Sequence, residues 1–208
     1  MPETPGLRER KKQRTRRTIE QAALELFETH GFDGTTIDDI AAAAEIAPRT
    51  FFHYFPSKED VVVTDYAHRL DAIVGLLRDG PREQTPWRAL RAAFLEVAAD
   101  YESERLQLLR RFRIISTTPS VNARSLQLQA EWEDAVSVAV SKWLGVDASQ
   151  ELEPRLLAGA ALAAMRASLA HWLAAGGHSS LPDHVSRCFD LMELGFGRVG
   201  DEHRATQP

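Results

Sequence analysis

The octapeptide PRTFFHYF, residues 48–55, concentrates aromatic and basic groups within two helical turns. On a helix, Phe51 and Phe55 lie nearly together, while Arg49 and His53, also four apart, fall on the opposite side. Arg49 offers a planar fork that matches O6 and N7 of guanine. His53 offers a donor or an acceptor, and Phe52 an apolar edge for a thymine methyl. The hydroxyls of Thr50 and Tyr54 sit on the flanks. Together with Lys58 and the free backbone N–H groups at the starts of the neighbouring helices, they suit phosphate oxygens. Spacing alone does not separate this chemistry from an ordinary solvated face over an aromatic core.

The elements that must hold these residues follow from local signals. Ile19, Ala22, Ala23, Leu26 and Phe27 form the stripe of a first helix, which Gly31 ends. Thr36 caps a second, short helix that has Asp38 and Asp39 in its first turn and Ile37, Ile40, Ala41 and Ala44 on one face. Pro48 suits the first turn of a third helix running through the octapeptide. Pro56 stops it, and Ser57 to Asp60 reads as the start of a fourth helix reaching about Arg78. Two short helices joined by a tight turn make a helix-turn-helix, whose second helix enters the major groove.

Beyond residue 80 the helices lengthen, over about 86–101, 103–116, 119–144, 150–175 and 182–197, three of them starting near Pro86, Pro119 and Pro182. No stretch alternates with the period of a strand, so the fold class is all-α, with about nine helices. The division predicted is a flexible basic arm over 1–13, a helix-turn-helix domain over 14–63, a ligand-binding and dimerisation bundle over 64–200 and a disordered tail over 201–208.

A net charge of −5 argues against a protein that coats nucleic acid indiscriminately. Its distribution is uneven, however, with Arg8, Arg10, Lys11, Lys12, Arg14, Arg16 and Arg17 set against Glu9 alone. Cys188, the single cysteine, excludes an intrachain disulfide and a thiolate zinc motif, and reads as packing. The sequence has neither the apolar stretch of a signal peptide nor a run of about 18 consecutive apolar residues, so a cytoplasmic protein without membrane contact is expected.

The ordered segment FDGTTIDDIAAAAEIAPRTFFHYFPSKEDVV resembles the DNA-binding domain of TetR-family transcriptional regulators over roughly residues 14–63. That resemblance implies base contacts from Arg49, Phe52 and His53 and phosphate contacts from Thr36, Thr50, Tyr54 and Lys58. It also implies a homodimer on a palindromic double-stranded operator and, as the family's usual mode, repression. Two positions depart from the pattern: Glu45 stands where the turn often has glycine, and Ala47 where serine or threonine often caps the recognition helix.

TetR-like proteins usually pair through their last two helices. The small residues Ala160, Ala161, Ala164 and Ser168, with Val185, Phe189, Met192 and Phe196 of the last helix, form the expected seam. Candidates to line an effector pocket are Tyr66, Leu70, Ile73, Phe94, Val97, Leu109, Phe112, Trp132, Val136, Met165 and Leu169, each also an ordinary core type. Arg113 borders the stripe of Leu106, Leu109 and Phe112, where it can meet an anionic head group or pair with Glu131 or Glu133. The region also resembles the C-terminal domain of acyl-CoA-like ligand-binding TetR regulators of the mycofactocin type, which implies an amphiphilic acyl-CoA-like effector.

Two other classes compete. An enzyme or metal site would have to use residues such as His171, His178 and His184, but spacings of seven and six do not align them on one helix, and there is no HExxH motif or Gly-rich phosphate loop. No catalytic residue, metal or cofactor is expected. A helical adaptor with a non-functional DNA-binding helix is the other rival, opposed by the basic arm, Tyr54 and Lys58.

Overall fold

The computed structural model describes residues 6–81 and 84–195, except the side chains at 7, 9 and 65–67. The described residues form ten helices and no strand: α1 Leu7–His30, α2 Ile37–Ala43, α3 Pro48–Tyr54, α4 Lys58–Val62, α5 Asp65–Asp79, α6 Pro86–Ser103, α7 Arg105–Thr117, α8 Pro119–Leu144, α9 Glu153–Ala174 and α10 Leu181–Leu194. The all-α class holds. Residues 8–13 belong to α1 instead of forming a separate arm, while residues 1–5 and the tail over 201–208 lie outside the described residues.

The expected fourth helix is two helices, broken at Val63 and Thr64. Four β-branched residues in succession, Val61 to Thr64, weaken helix propagation there. Arg111 then takes the carbonyls of Val61 and Val62, at 2.7 and 2.9 Å, which in a continuous helix would accept from the N–H groups of residues 65 and 66.

The chain divides into two compact units. The first comprises residues up to Thr64 together with Arg110–Leu126, so parts of α7 and α8 join the segment expected over 14–63. Its core joins Ile19, Ala23 and Phe27 of α1, Phe32, Ile40 and Ala41, and Phe51, Phe55, Val61 and Val62. Burying Phe51 and Phe55 stabilises the packing of α3 by about 1.5–3 kcal/mol each. Three arginines bind α7 and α8 into this unit: Arg110 forks onto Glu28, Arg111 reaches Glu20, and Arg124 reaches Asp60.

The second unit comprises Asp65–Leu109 and the chain from Gln127 onward. Leu90, Ala93, Phe94 and Val97 of α6 meet Ala158, Ala161 and Met165 of α9 and Leu181, Val185 and Phe189 of α10 in one buried cluster. Arg69 of α5, itself buried, lies over the ring of Tyr101 and pairs with Asp100 and Glu104, which fixes α5 on α6. By length and composition α9 is apolar enough to cross a membrane, and about 44% of its most apolar window is buried within the protein.

Candidate nucleic-acid interface and effector unit

The helix-turn-helix is built by local chemistry. Thr36 and Asp39 form a reciprocal capping box at α2, in which the Thr36 hydroxyl accepts from the Asp39 N–H and Asp39 accepts from the Thr36 N–H. Hydrogen bonds from the Thr36 side chain, then its backbone, hold the Asp39 carboxyl below its ordinary range. Glu45 carries the turn at φ 54, a left-handed conformation that costs a side-chain-bearing residue roughly 1–2 kcal/mol. Pro48 opens α3, Ala47 supplies no side-chain cap, and Phe55 leaves the helix in an extended conformation.

With Phe51 and Phe55 inside, α3 turns Arg49, Phe52 and His53 outward; Phe52 is 57% exposed. Arg49 makes no ion pair and the Tyr54 hydroxyl no hydrogen bond among the described residues, while the His53 ring meets Tyr54 edge-on at 5.4 Å. Thr50 and Tyr54 are half-buried on the flanks. An exposed guanidinium, phenyl ring and imidazole and two flanking hydroxyls therefore occupy one short helix.

Two of the residues expected at phosphates also make bonds within the fold. Lys58 Nζ donates to the carbonyls of Phe32 and Thr35 at 2.8 and 3.1 Å and lies over the Phe32 ring, tying the start of α4 to the loop before α2. The Thr36 hydroxyl donates a hydrogen bond to Asp39 Oδ2 at 2.6 Å. Their positions in sequence carried no sign of these bonds, because carbonyls from residues 32 and 35 are contacts that only the folded turn creates.

In the second unit, Ile73, Phe94, Val97, Trp132, Val136 and Met165 share the buried cluster, with Leu70, Leu109 and Leu169 packed at its margin. Phe112 and Arg113 do not join them: both belong to the first unit and are exposed, and Arg113 pairs with neither Glu131 nor Glu133. The side chain of Tyr66 lies outside the described residues. Trp87, absent from the expected set, packs on the cluster with its ring 4.6 Å from Phe189 and its buried indole N–H without an acceptor among the described residues. A tryptophan at the start of an apolar helix was the available signal, since its N–H normally finds a partner when buried.

Five residues of the expected dimer seam are inaccessible. Ala161, Ala164, Ser168, Val185 and Phe189 are buried in the protomer's own core, so they have no surface to offer a second copy. Ser168 donates to Ala164 O and meets Cys188 Sγ at 3.3 Å, which makes Cys188 a packing residue. Ala160 and Met192 are half-buried, and Phe196 lies outside the described residues. Small residues occur all round α9, and which of its faces turns inward is fixed by α6 and α10. Among its outward positions Leu156, Ala167, Ala170 and Ala174 are exposed and Ala163 is half-exposed, at successive steps of seven, four, three and four from Leu156 to Ala174, with Leu194 exposed on α10.

The three histidines separate chemically. His171 and His184 meet at 4.9 Å, but His184 bonds Ser179, and His178 bonds Arg105 at 3.2 Å. Among the described residues no three potential ligands are grouped to hold a metal ion.

Residues 19–63 match the family of bacterial regulatory proteins of the TetR type, and residues 84–197, more than half the chain, match the MftR C-terminal domain. The chain belongs to the TetR family. Among relatives of this TetR-family regulator, a candidate mycofactocin biosynthesis regulator, MftR of Mycobacterium tuberculosis, is 32% identical over 190 residues, covering 91% of this chain and 95% of its own. The transcriptional regulator TcmR of Streptomyces glaucescens is 32% identical over 177 residues, covering 82% of this chain and 78% of its own. Among solved structures, the TetR-family repressor FadR of Thermus thermophilus, in complex with lauroyl-CoA, superposes with a TM-score of 0.56. It is 26% identical and covers 85% of this chain and 92% of its own. The regulator thus joins a DNA-binding helix-turn-helix to an effector domain of the MftR kind, and its relatives are transcriptional regulators and not enzymes.

Proposed function

We propose that this regulator is a repressor that binds a palindromic operator as a two-fold dimer and leaves it when an amphiphilic, acyl-CoA-like ligand enters the second unit. The observation that carries the DNA half is α3, whose Phe51 and Phe55 are buried while Arg49, Phe52 and His53 stand free. Arg49, Phe52 and His53 read bases, and Thr50 and Tyr54 hold phosphates. Lys58 and Thr36 act through the fold, by fixing the helix starts.

The outward α9 stripe of Leu156, Ala163, Ala167, Ala170 and Ala174, with Leu194 of α10, pairs with its copy, because small residues allow close helix approach. Such a dimer presents two α3 helices about one DNA turn apart.

The acyl-CoA half is supported by the lauroyl-CoA complex of the Thermus thermophilus repressor and by the apolar cluster around Phe94, Trp132 and Met165. The buried indole N–H of Trp87 has no acceptor among the described residues, and an acyl carbonyl or carboxylate satisfies it. By linkage, operator and effector weaken each other equally.

Selection of bound fragments from a randomised duplex library, followed by fluorescence anisotropy with a long-chain acyl-CoA and with free coenzyme A, tests the whole reading. Enrichment of an inverted repeat and release by the acyl form alone are expected, with Trp87→Phe needing more ligand for release. Absence of any enriched sequence refutes the regulator reading, and retention at saturating acyl-CoA refutes the effector.

A further inference from the structure

The hairpin of α9 and α10 brings together residues that the sequence keeps apart. Gly176 and Gly177 reverse the chain between the two helices, both left-handed at φ 71 and 68. The helices then meet in successive antiparallel rungs. Ser168 meets Cys188 on one rung, and His171 meets His184 on the next, three residues further along α9 and four residues back along α10. The histidine pair has no signature on either helix alone, because each helix supplies only one member.

Neutral imidazole is a strong ligand for zinc and nickel. With metal–nitrogen bonds of about 2.0–2.1 Å at a tetrahedral angle, two imidazoles on one ion hold their ring centres roughly 5 Å apart. The ring centres of His171 and His184 are 4.9 Å apart, with their planes at 78°. His184 Nε2 lies 2.8 Å from Ser179 Oγ, and when Nε2–H is the donor, Nδ1 carries the free lone pair. Metal-binding histidines are normally oriented in this manner, through a hydrogen bond from the other ring nitrogen. Ser179 is fixed in turn, since the indole N–H of the fully buried Trp172 donates to its carbonyl at 2.6 Å. His171 is exposed, and among the described residues its ring makes no hydrogen bond or ion pair. His178 is engaged separately, by Arg105.

We infer that His171 and His184 form a two-histidine site for a divalent ion of the zinc or nickel class, with Ser179 orienting His184 so that it ligates through Nδ1. No third histidine, cysteine or carboxylate joins the pair among the described residues, so water completes the coordination. Nitrogen donors select against hard ions such as magnesium. His171 lies in the last turn of α9 and His184 in the first turn of α10, so a bound ion clamps the two helices together beside their connecting turn. Nothing in this site depends on operator or effector binding.

The test uses the full chain without a polyhistidine tag, stripped with chelator and titrated calorimetrically with nickel, zinc and, as control, magnesium chloride. The wild type should bind nickel and zinc at one site per chain and leave magnesium unbound. His171→Ala and His184→Ala should each weaken nickel binding about 100-fold or more, and Ser179→Ala about 10-fold, the smaller loss expected of a partner that only orients a ligand. His178→Ala should leave the affinity unchanged. Circular dichroism verifies that the variants retain helix.

Thermal denaturation followed by tryptophan fluorescence gives a second readout, because all four tryptophans lie in the same unit as the pair. Saturating zinc should raise the midpoint of the wild type and leave that of His184→Ala where it was. Absence of nickel and zinc binding in the wild type overturns the inference, as does a site that survives both His171→Ala and His184→Ala. Undiminished affinity in Ser179→Ala overturns the orienting role of Ser179.

Discussion

Arg111 is the residue whose loss should be felt most in the first unit. Its side chain is 4% exposed and donates to two carbonyls at the end of α4 and to Glu20 at 3.3 Å. In Arg111→Met, each carbonyl left without its donor costs about 1–3 kcal/mol. Glu20 loses one guanidinium but keeps Arg16 at 3.2 Å, which moderates the penalty. The expected total is about 3–5 kcal/mol, the range for breaking a buried pair on one side. At a urea dependence of about 1 kcal/mol per molar, the unfolding midpoint of the first unit falls by roughly 3 M or more.

The tryptophans allow the two units to be watched separately. Trp87, Trp132, Trp143 and Trp172 all lie in the second unit, whereas backbone circular dichroism reports both. In the variant, ellipticity should be lost in an early phase that tryptophan fluorescence does not see, with the fluorescence midpoint unchanged. Arg111→Lys should fall between, since an ammonium cannot fork across both carbonyls and Glu20. Coincident transitions with a midpoint shift below about 0.5 M would refute the assignment of Arg111 as the clasp of this unit.

Other outcomes follow from the same geometry. Arg49→Ala should cost about 1–3 kcal/mol on the selected operator and relax its sequence preference, whereas Tyr54→Phe should weaken all duplexes alike; competition binding against mixed DNA separates the two. Lys58→Ala should lower the thermal midpoint, because the carbonyls of Phe32 and Thr35 lose their donor, and a fully stable variant with weakened DNA binding would return Lys58 to the phosphate set. Glu45→Gly should stabilise by up to about 1 kcal/mol, the left-handed strain relieved less the added unfolded-state entropy, as read by urea denaturation. Glu28, held low by its hydrogen bonds from Arg110, and Asp39, held low by Thr36, lend stability that is present above the ordinary carboxylate range. That stability is lost as pH falls through their lowered folded values. Denaturation midpoints should thus be level near neutrality and drop on the acid side, and the drop should shrink in the Glu28→Gln, Asp39→Ala double variant.

Signals confined to one or two turns were readable in the sequence. Gly31 at φ 77, the Thr36 cap, Pro48 and the prolines that open α6 and α8 all mark real boundaries, because caps and proline sterics act within a few residues. The aromatic and donor faces of α3 were readable for the same reason, since four-residue spacing fixes them without reference to the rest of the chain. The break after Val62 was not, because it is completed by an arginine about fifty positions away. The inward face of α9 was equally hidden, as alanines on several sides give no phase. Lys58 looked outward-facing because its carbonyl acceptors exist only once the loop before α2 has folded.

The clasp formed by Arg110, Arg111 and Arg124 bears on how such a regulator can be recombined. A chimera cut after residue 64 would graft the helix-turn-helix while leaving its three arginine anchors behind in the discarded half. Glu20, Glu28 and Asp60 would each lose a partner, and the last carbonyls of α4 would face outward unsatisfied. An exchange that carries residues 110–126 along with residues 1–64 transfers a complete folding unit. Modularity in this protein therefore follows the ion pairs, and a single junction in the linear sequence does not capture it.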